Sequence, residues 1–168
     1  MSPLPRLPRA VVGHLGREPG RLASGIRAAG SGLGCFYTPG PVVAFMVRRA
    51  LGAYLQAELP GEEVGSLDRL LDCGDPSGLR SPRAARDALA RVTVCDPACG
   101  DGAFLVGALG QLEAPRVAIS GLEESPVARR RLRTEIVADN LFGMELDAAA
   151  AESARSRLLA LLLSLIHI

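Results

Sequence analysis

A short apolar segment that runs directly into a glycine-rich turn constrains the fold of this chain more than any other feature. Residues 92–95 are apolar or β-branched, an Asp-Pro pair bounds them, and Gly100 and Gly102 follow before an apolar helical segment. This pattern predicts a buried parallel strand that leads into a helix. Residues 141–146 predict a second strand of the same kind. Because helical segments lie before, between and after these strands, the sequence predicts an α/β fold with a parallel sheet.

The helical segments are predicted from apolar spacing and from their start and stop signals. Thr38 is predicted as an N-cap with Pro39 at the first helical position, and this helix ends at Pro60. A Ser81-Pro82 pair predicts another start. The remaining predictions are one helical turn over 66–71 and helices over 83–90, 102–112, 124–137 and from Asp147 onward. Residues 1–33 are predicted to be a linker or the tail of an upstream region, with a short helix over 22–29, and residues 34–168 form the domain.

Composition limits the classes of function that the chain can serve. Its 168 residues suffice for one domain, and a hydrophobic fraction of 48% favours a packed core over disorder. The net charge of +1 excludes a strongly basic DNA-binding surface, so a DNA contact must be local or lie elsewhere. No CxxC pair indicates a zinc site, and each of the four cysteines is expected to be a reduced, small buried side chain. With no signal peptide and no span for a bilayer, a soluble cytoplasmic protein is expected.

The residues around the turn indicate which ligand it can hold. No phosphate-binding Gly-Lys-Ser/Thr is present, and Asp96 at the strand end would repel a pyrophosphate. Asp96 is instead suited to the ammonium group of an amino acid. At the end of the second strand, Glu145 can accept the hydroxyls of a ribose, Leu146 can lie against an adenine, and Asp147 is expected to cap the next helix. The pair of strand ends therefore favours a ligand with an amino-acid end and an adenosine end.

Three strings resemble those of a known enzyme family, in the family's order. Asp96-Pro97-Ala98-Cys99-Gly100-Asp101-Gly102-Ala103-Phe104-Leu105 resembles motif I of S-adenosylmethionine-dependent methyltransferases, with Asp101 where serine is common. Phe36-Tyr37-Thr38-Pro39 upstream and the string from Asn140 to Asp147 downstream resemble those of N6-adenine DNA methyltransferases of type I and type IIG restriction–modification and phage-defence systems.

The resemblance implies a Rossmann-like fold with an amino-terminal helical lead-in and S-adenosyl-L-methionine as cofactor. It also implies transfer of a methyl group to the N6 atom of adenine in DNA. The cofactor-binding residues that it implies, together with those argued above, are Tyr37, Thr38, Pro39, Asp96, Pro97, Ala98, Cys99, Gly100, Gly102, Phe104, Glu145 and Leu146. No metal site is expected.

The sequence departs from the family by lacking its catalytic Asn/Asp-Pro-Pro-Tyr/Phe motif. We therefore expect a truncated, amino-terminal piece without catalytic residues, whose contact with double-stranded DNA lies in the missing carboxyl-terminal part. A restriction or specificity subunit, or a fused nuclease domain, is the partner that the resemblance implies. The alternatives are a methyltransferase acting on RNA or protein, and a non-catalytic Rossmann-like binding module. For the arginine run at 129–133, a solvated helix face is favoured over a contact with DNA phosphate.

Overall fold

The computed structural model of this protein describes the backbone of residues 12–14 and residues 38–122 and 125–163. Most of the described elements are helices, and the short strands among them form a small parallel sheet, which is compatible with the predicted α/β class. In chain order they are β1 (Val12–His14), α1 (Gly40–Glu58), α2 (Val64–Cys73), α3 (Pro82–Arg91), β2 (Val94–Asp96), α4 (Ala103–Ser120), α5 (Pro126–Glu135), a π-helical turn (Ile136–Asn140), β3 (Leu141–Glu145) and α6 (Ala148–Leu163).

The described strands form one parallel sheet in the order β1-β3-β2, with β3 at its centre. Val94 pairs with Leu141 and Asp96 with Gly143, so the carboxyl ends of the strands lie at one edge. Along β3, Leu141 and Gly143 are buried while Phe142 and Met144 are exposed. One face of the sheet is therefore covered, by α4 among others, and the other face is open in the described residues. β1 lies within 1–33, predicted as linker or tail, and the helix expected over 22–29 lies outside the described residues.

The helices form as their sequences dictate at most of the predicted positions. In α1, Val43, Val47, Leu51 and Leu55 recur every four residues and are all buried in the core. α3 begins as predicted, because Ala84 N donates to the Ser81 hydroxyl over 3.3 Å and proline follows the cap. The large side chains that are fully buried, apart from Asn140, are Val43, Leu55, Leu67, Leu70, Leu89, Leu105, Leu112, Ile136, Leu141 and Leu158.

Several helix boundaries differ from the predictions, among them those of α1, α2 and α4. α1 begins at Gly40, so Pro39 rather than Thr38 occupies the cap position. α2 is ten residues long instead of one turn, and the left-handed Gly74 ends it. α4 continues to Ser120 through Pro115, although proline cannot donate to the carbonyl four residues before it. Leu112, Pro115 and Val117 are buried, and this burial offsets the lost hydrogen bond.

The arginine run of α5 was predicted as a solvated face, and for two of its residues this is wrong. Arg129 donates to Glu113 Oε1 through both Nε and Nη2, over 3.2 and 3.0 Å, and Arg133 Nε donates to Glu113 Oε2 over 2.7 Å. Glu113 lies on α4 and is only 5% exposed. These two arginines therefore join α5 to α4. Arg131 keeps to the surface, where it pairs with Glu135.

A second polar contact in the interior fixes the start of β3. The Asn140 amide donates to the carbonyl oxygens of Ala90 and Val92, over 3.0 and 2.6 Å, and its oxygen accepts from Arg116 over 3.2 Å. The π-helical turn places Asn140 at this buried position directly before the strand. None of the helices in the described parts of the chain is long and apolar enough to cross a membrane.

Candidate functional site

The glycine-rich turn connects β2 to α4 and owes its shape to two glycines. Gly100 and Gly102 have φ angles of 53° and 85°, in the left-handed region that glycine adopts without strain. A Cβ atom on Gly102 would lie 2.9 Å from Ala154 Cβ, so α6 also requires glycine here. Gly102 occupies the cap position of α4 without any side-chain cap. The first turn of α4 therefore presents its N–H groups at the carboxyl edge of the sheet.

Glu145, the last residue of β3, binds this turn directly. Its Oε2 accepts from Gly100 N over 2.8 Å, and its Oε1 accepts from Leu146 N and Asp147 N over 2.7 and 3.0 Å. The hydrogen bonds from the backbone N–H groups, that of Asp147 foremost, lower the pKa of the Glu145 carboxyl. An ionised carboxylate has about four acceptor positions, so about one remains for a ligand hydroxyl. Binding both hydroxyls of a ribose would require a further acceptor or release of one backbone bond.

Asp96 is the last residue of β2 and pairs with Gly143 of β3. β3 continues for two more residues, to Glu145. Its Oδ1 accepts from Ala98 N over 3.1 Å, which uses one of the two carboxylate oxygens. Burial, and then the carboxylates of Asp96 and Glu145, raise the pKa of the Cys99 thiol. In the parallel register Asp96 lies level with Gly143, so Asp96 and Glu145 stand at the same end of neighbouring strands. The edge is therefore negatively charged where the two strands end.

Cys99 faces inward beneath the turn. Its N–H donates to Met144 O over 2.9 Å, and a Cβ on Gly143 would lie 3.0 Å from its sulfur. Cys99 is thus the small buried side chain that was predicted, whereas Cys73 and Cys95 are exposed and that prediction is wrong for them. No group of three His, Cys, Asp or Glu side chains in the described ranges is placed to hold a metal ion.

α1 brings the upstream residues to the same end of the molecule. Val43 lies against Gly107, and Arg48 Nε donates to Gln111 Oε1 over 3.4 Å, so α1 and α4 run in the same direction. Thr38 and Pro39, just before α1, therefore lie at the end where the glycine-rich turn enters α4. Tyr37 lies outside the described residues.

The other predicted residues surround the same edge. Leu146 is 65% exposed directly after β3, and Pro97 and Ala98 are exposed on the turn, whereas Phe104 packs partly into the core. Asp147 caps α6 as predicted, since its Oδ1 accepts from Ala149 N over 3.2 Å. The structure thus brings together the turn, Asp96, Glu145 and Leu146.

Sequence reasoning missed Arg157, a residue of α6 that contacts the turn. Its Nη1 donates to Asp101 Oδ2 over 2.6 Å and to Asp101 O over 3.1 Å. No motif marks Arg157, and the only signal in the sequence is the acid at 101 where the resembling family commonly has serine. The pair offsets one of the negative charges at the edge.

Two clefts on the surface of the described residues lie away from this edge. One lies between α1 and α2 and is lined by Arg48, Gly52 and Asp72, among others. The other lies between α2 and α4, beside Cys73 and Val117. Neither includes a predicted cofactor-binding residue. We place the site at the carboxyl edge because ligands of open parallel sheets bind there. In addition, Asp96, Glu145 and the glycine-rich turn lie together at this edge.

Comparison with known proteins identifies the family of the chain. The family described as "MmeI, DNA-methyltransferase domain" matches residues 78–165, which include the turn, both strand ends and all of α6. A protein of Methanocaldococcus jannaschii named "Putative type II restriction enzyme and methyltransferase" is 29% identical over 140 residues. The match covers 76% of this chain and 12% of that protein, so the chain spans about an eighth of the relative's length. No solved structure matches. The chain belongs to the family of MmeI DNA-methyltransferase domains, which are of the restriction–modification type.

Proposed function

We propose that this chain binds S-adenosyl-L-methionine at the carboxyl edge of β2 and β3. We further propose that the protein containing it methylates the N6 atom of adenine in double-stranded DNA, within a restriction–modification or phage-defence system. The observation that carries the proposal is the bond of the Glu145 carboxylate to Gly100 N, which joins the two strand ends and the glycine-rich turn into one site. The fold proposed for residues 34–168 is a partial Rossmann-like methyltransferase domain, preceded by a linker or tail over 1–33.

The charge of the edge supports this cofactor over other nucleotides. Asp96 and Glu145 both end strands there, and a carboxylate pair repels a pyrophosphate. S-adenosylmethionine carries an ammonium and a sulfonium group, which the same pair attracts. In this proposal the second oxygen of Asp96 binds the ammonium group, and the remaining acceptor position of Glu145 binds a ribose hydroxyl.

The remaining residues take roles that fit their positions. The exposed Leu146 side chain lies against the adenine, and the N–H groups of the first turn of α4 face the ligand. The turn that approaches it contains Pro97, Ala98, Cys99, Gly100 and Gly102, and Phe104 follows it in the first turn of α4. Thr38 and Pro39 close over the cofactor from the start of α1, with Thr38 as a donor to the methionine carboxylate. Tyr37, which lies outside the described residues, is assigned to the same group from the resemblance.

The contribution of this chain to the reaction is to hold the cofactor in position. When bound, S-adenosylmethionine supplies an electrophilic methyl group on its sulfonium. Asp96 and Glu145 would fix the two ends of the molecule, so that the methyl group is presented in one direction. The adenine must be flipped out of the duplex and held by its Watson–Crick edge, a task that we assign to an Asn/Asp-Pro-Pro-Tyr/Phe motif that these 168 residues lack. Contact with DNA, and with a restriction or specificity subunit or a nuclease domain, is likewise assigned to other parts of the protein.

Calorimetry with S-adenosylmethionine tests the cofactor site. A charge-assisted hydrogen bond contributes ~1.5–3 kcal/mol, so Asp96→Asn should weaken binding about ten- to hundred-fold. Glu145→Gln, which keeps one acceptor oxygen, should weaken it less than Glu145→Ala. Asp87→Asn, at the surface of α3, is the control for loss of a carboxylate. Unchanged affinity in the Asp96 and Glu145 variants would contradict the assignment.

Transfer of labelled methyl groups tests the reaction. Incubated with labelled S-adenosylmethionine and mixed-sequence duplex DNA, the chain itself should transfer nothing above background. A version extended through an Asn/Asp-Pro-Pro-Tyr/Phe motif should label adenine, as shown by separation of the nucleosides. Label on cytosine, RNA or protein would overturn the choice of substrate while leaving the cofactor site in place. Cofactor binding without any transfer by the extended version would favour a non-catalytic binding module.

A further inference from the structure

Arg157 of α6 contacts the glycine-rich turn at Asp101, one residue after the position that Glu145 binds. One of its nitrogens, Nη1, donates both to the carboxylate of Asp101 over 2.6 Å and to the carbonyl oxygen of the same residue over 3.1 Å. Nη1 carries two hydrogens, so it can make both bonds at once. The guanidinium thereby fixes the Asp101 side chain and also the orientation of the peptide group that follows it.

That peptide group lies at the most adaptable position of the turn. Asp101 stands between Gly100 and Gly102, which both have left-handed φ angles. Glycine loses more conformational freedom on ordering than any other residue, so a turn with two of them needs restraints from outside. β3 restrains the first part of the turn, where Gly100 N donates to Glu145 and Cys99 N donates to Met144 O.

α6 restrains the last part of the turn, at Asp101 and Gly102. In addition to the bonds of Arg157, the Cα of Gly102 packs so closely on Ala154 that no Cβ would fit. Ala154 and Arg157 lie three residues apart, on one face of the helix. α6 thus presents a small side chain against Gly102 and a long cationic one against Asp101.

We propose that Arg157 is a positioning residue for the cofactor, acting through Asp101. It holds the turn in the conformation that binds S-adenosylmethionine, so that the turn is not ordered at the expense of binding free energy. Arg157 contacts no ligand in this role. The inference rests on the proposed function, because the ligand concerned is the cofactor proposed above.

Two measurements on the purified chain test the role of Arg157: calorimetry with S-adenosylmethionine, and hydrogen exchange of peptides covering residues 98–106 without ligand. Arg157→Met removes the donors but keeps the length of the side chain, and it should weaken binding about five- to ten-fold and speed exchange in the turn. Arg157→Lys keeps a charged donor and should restore part of both effects. Arg155→Met is the matched control, because Arg155 lies on the same helix and pairs with Glu152 at the surface.

The outcomes separate this inference from the proposed function. Unchanged affinity and unchanged exchange in Arg157→Met would overturn it, and so would a loss that follows global melting and that Arg157→Lys does not restore. If the parent chain binds no cofactor, the proposed function fails at that point. Exchange in the unliganded turn then still decides whether Arg157 holds Asp101, since faster exchange supports the contact and unchanged exchange contradicts it.

Discussion

At the scale of single residues, Gly102 is the position where one added methyl group should have the largest effect. Its φ of 85° costs a residue with a side chain about 1–2 kcal/mol, and a Cβ would lie 2.9 Å from Ala154 Cβ. Overpacking adds ~1–3 kcal/mol. We expect Gly102→Ala to lower the free energy of unfolding by about 2–5 kcal/mol, measured by urea denaturation.

The control for this prediction is a glycine-to-alanine substitution at Gly110, inside the helix that Gly102 caps. Gly110 lies inside α4, and no atom lies within 4 Å of the place where its Cβ would be. Alanine is a better helix former than glycine by ~0.8–1 kcal/mol, so Gly110→Ala should raise stability slightly. Equal effects at the two positions would contradict the described geometry of the turn.

Glu145 should make stability depend on acid pH. Hydrogen bonds from backbone N–H groups, that of Asp147 foremost, depress the pKa of this carboxyl below its ordinary value of 4.5. Its stabilising contribution is therefore complete above the pKa of the unfolded chain and is lost as the pH falls through the lower folded pKa. Denaturation between about pH 6 and 3 should show a shallower loss of stability in Glu145→Gln than in the parent. Glu152→Gln on α6 reports the general effect of removing one carboxylate, and the same slope in the parent and Glu145→Gln would refute the role of these hydrogen bonds.

At the scale of elements, the contact between α4 and α5 depends on Glu113. The side chain of Glu113 is 7% exposed, and its carboxylate accepts from Arg129 and Arg133, whose side chains are 35% and 15% exposed. Removing one partner of a buried ion pair leaves the other charge unpaired, at a cost of ~3–5 kcal/mol. Because both arginines keep some contact with water, we expect Glu113→Gln to cost about 3 kcal/mol in chemical denaturation.

A surface pair is the matched control for Glu113. Arg83 and Asp87 lie four residues apart on α3 with side chains 86% and 45% exposed, and such pairs contribute ~0.3–0.5 kcal/mol. Asp87→Asn should therefore change stability little. If Glu113→Gln were equally mild, the cluster would not be what holds α5 to α4.

Local signals in the sequence were sufficient for the elements whose start is a matter of local chemistry. The Ser81-Pro82 pair correctly predicted the start of α3, because a serine hydroxyl before a proline can accept from an N–H group of the first turn. The end of α4 was predicted too early, because Pro115 disfavours a helix locally while burial in the core favours it. The arginines of α5 were misassigned because their partner, Glu113, lies on another helix, and no local pattern announces such a contact.

At the scale of the whole molecule, part of the candidate site could be predicted from the sequence and part could not. Asp96 and Glu145 could be predicted to lie together, because the carboxyl ends of parallel strands meet at one edge. The bond from Gly100 N to Glu145 could not be predicted, since it depends on the φ angles of the turn. Arg157 was missed for a related reason, because only the packing of α6 on the turn brings it within reach of Asp101.

The open face of the sheet leads to a prediction about the whole molecule. Phe142 and Met144 are 45% and 39% exposed on the face opposite to Gly143, and Cys95 is exposed beside Phe142 in the register. Exposed apolar patches of this kind bind hydrophobic dyes. The chain should enhance the fluorescence of such a dye under native conditions, and a Phe142→Thr/Met144→Thr variant should do so much less.

The control for the open face is an exposed apolar residue outside it. Val127 of α5 is 82% exposed and does not belong to the sheet, so Val127→Thr should leave dye binding unchanged. Equal dye fluorescence in the parent and in the double variant would show that this face is covered in solution.

Glu145 and Arg157 both hold the glycine-rich turn, and their positions along the chain have a consequence for biosynthesis. Glu145 lies 45 residues after Gly100, and Arg157 lies 56 residues after Asp101. At ~5–20 residues per second, a ribosome needs about two to eleven seconds to add these stretches. Helices α1 to α4 contact one another and can pack during that interval. The glycine-rich turn, by contrast, is not held until Glu145 and Arg157 have been synthesised. Val12 waits longer still, for Gly143. In the nascent polypeptide, the ligand-binding edge is therefore completed after the helical layer beneath it.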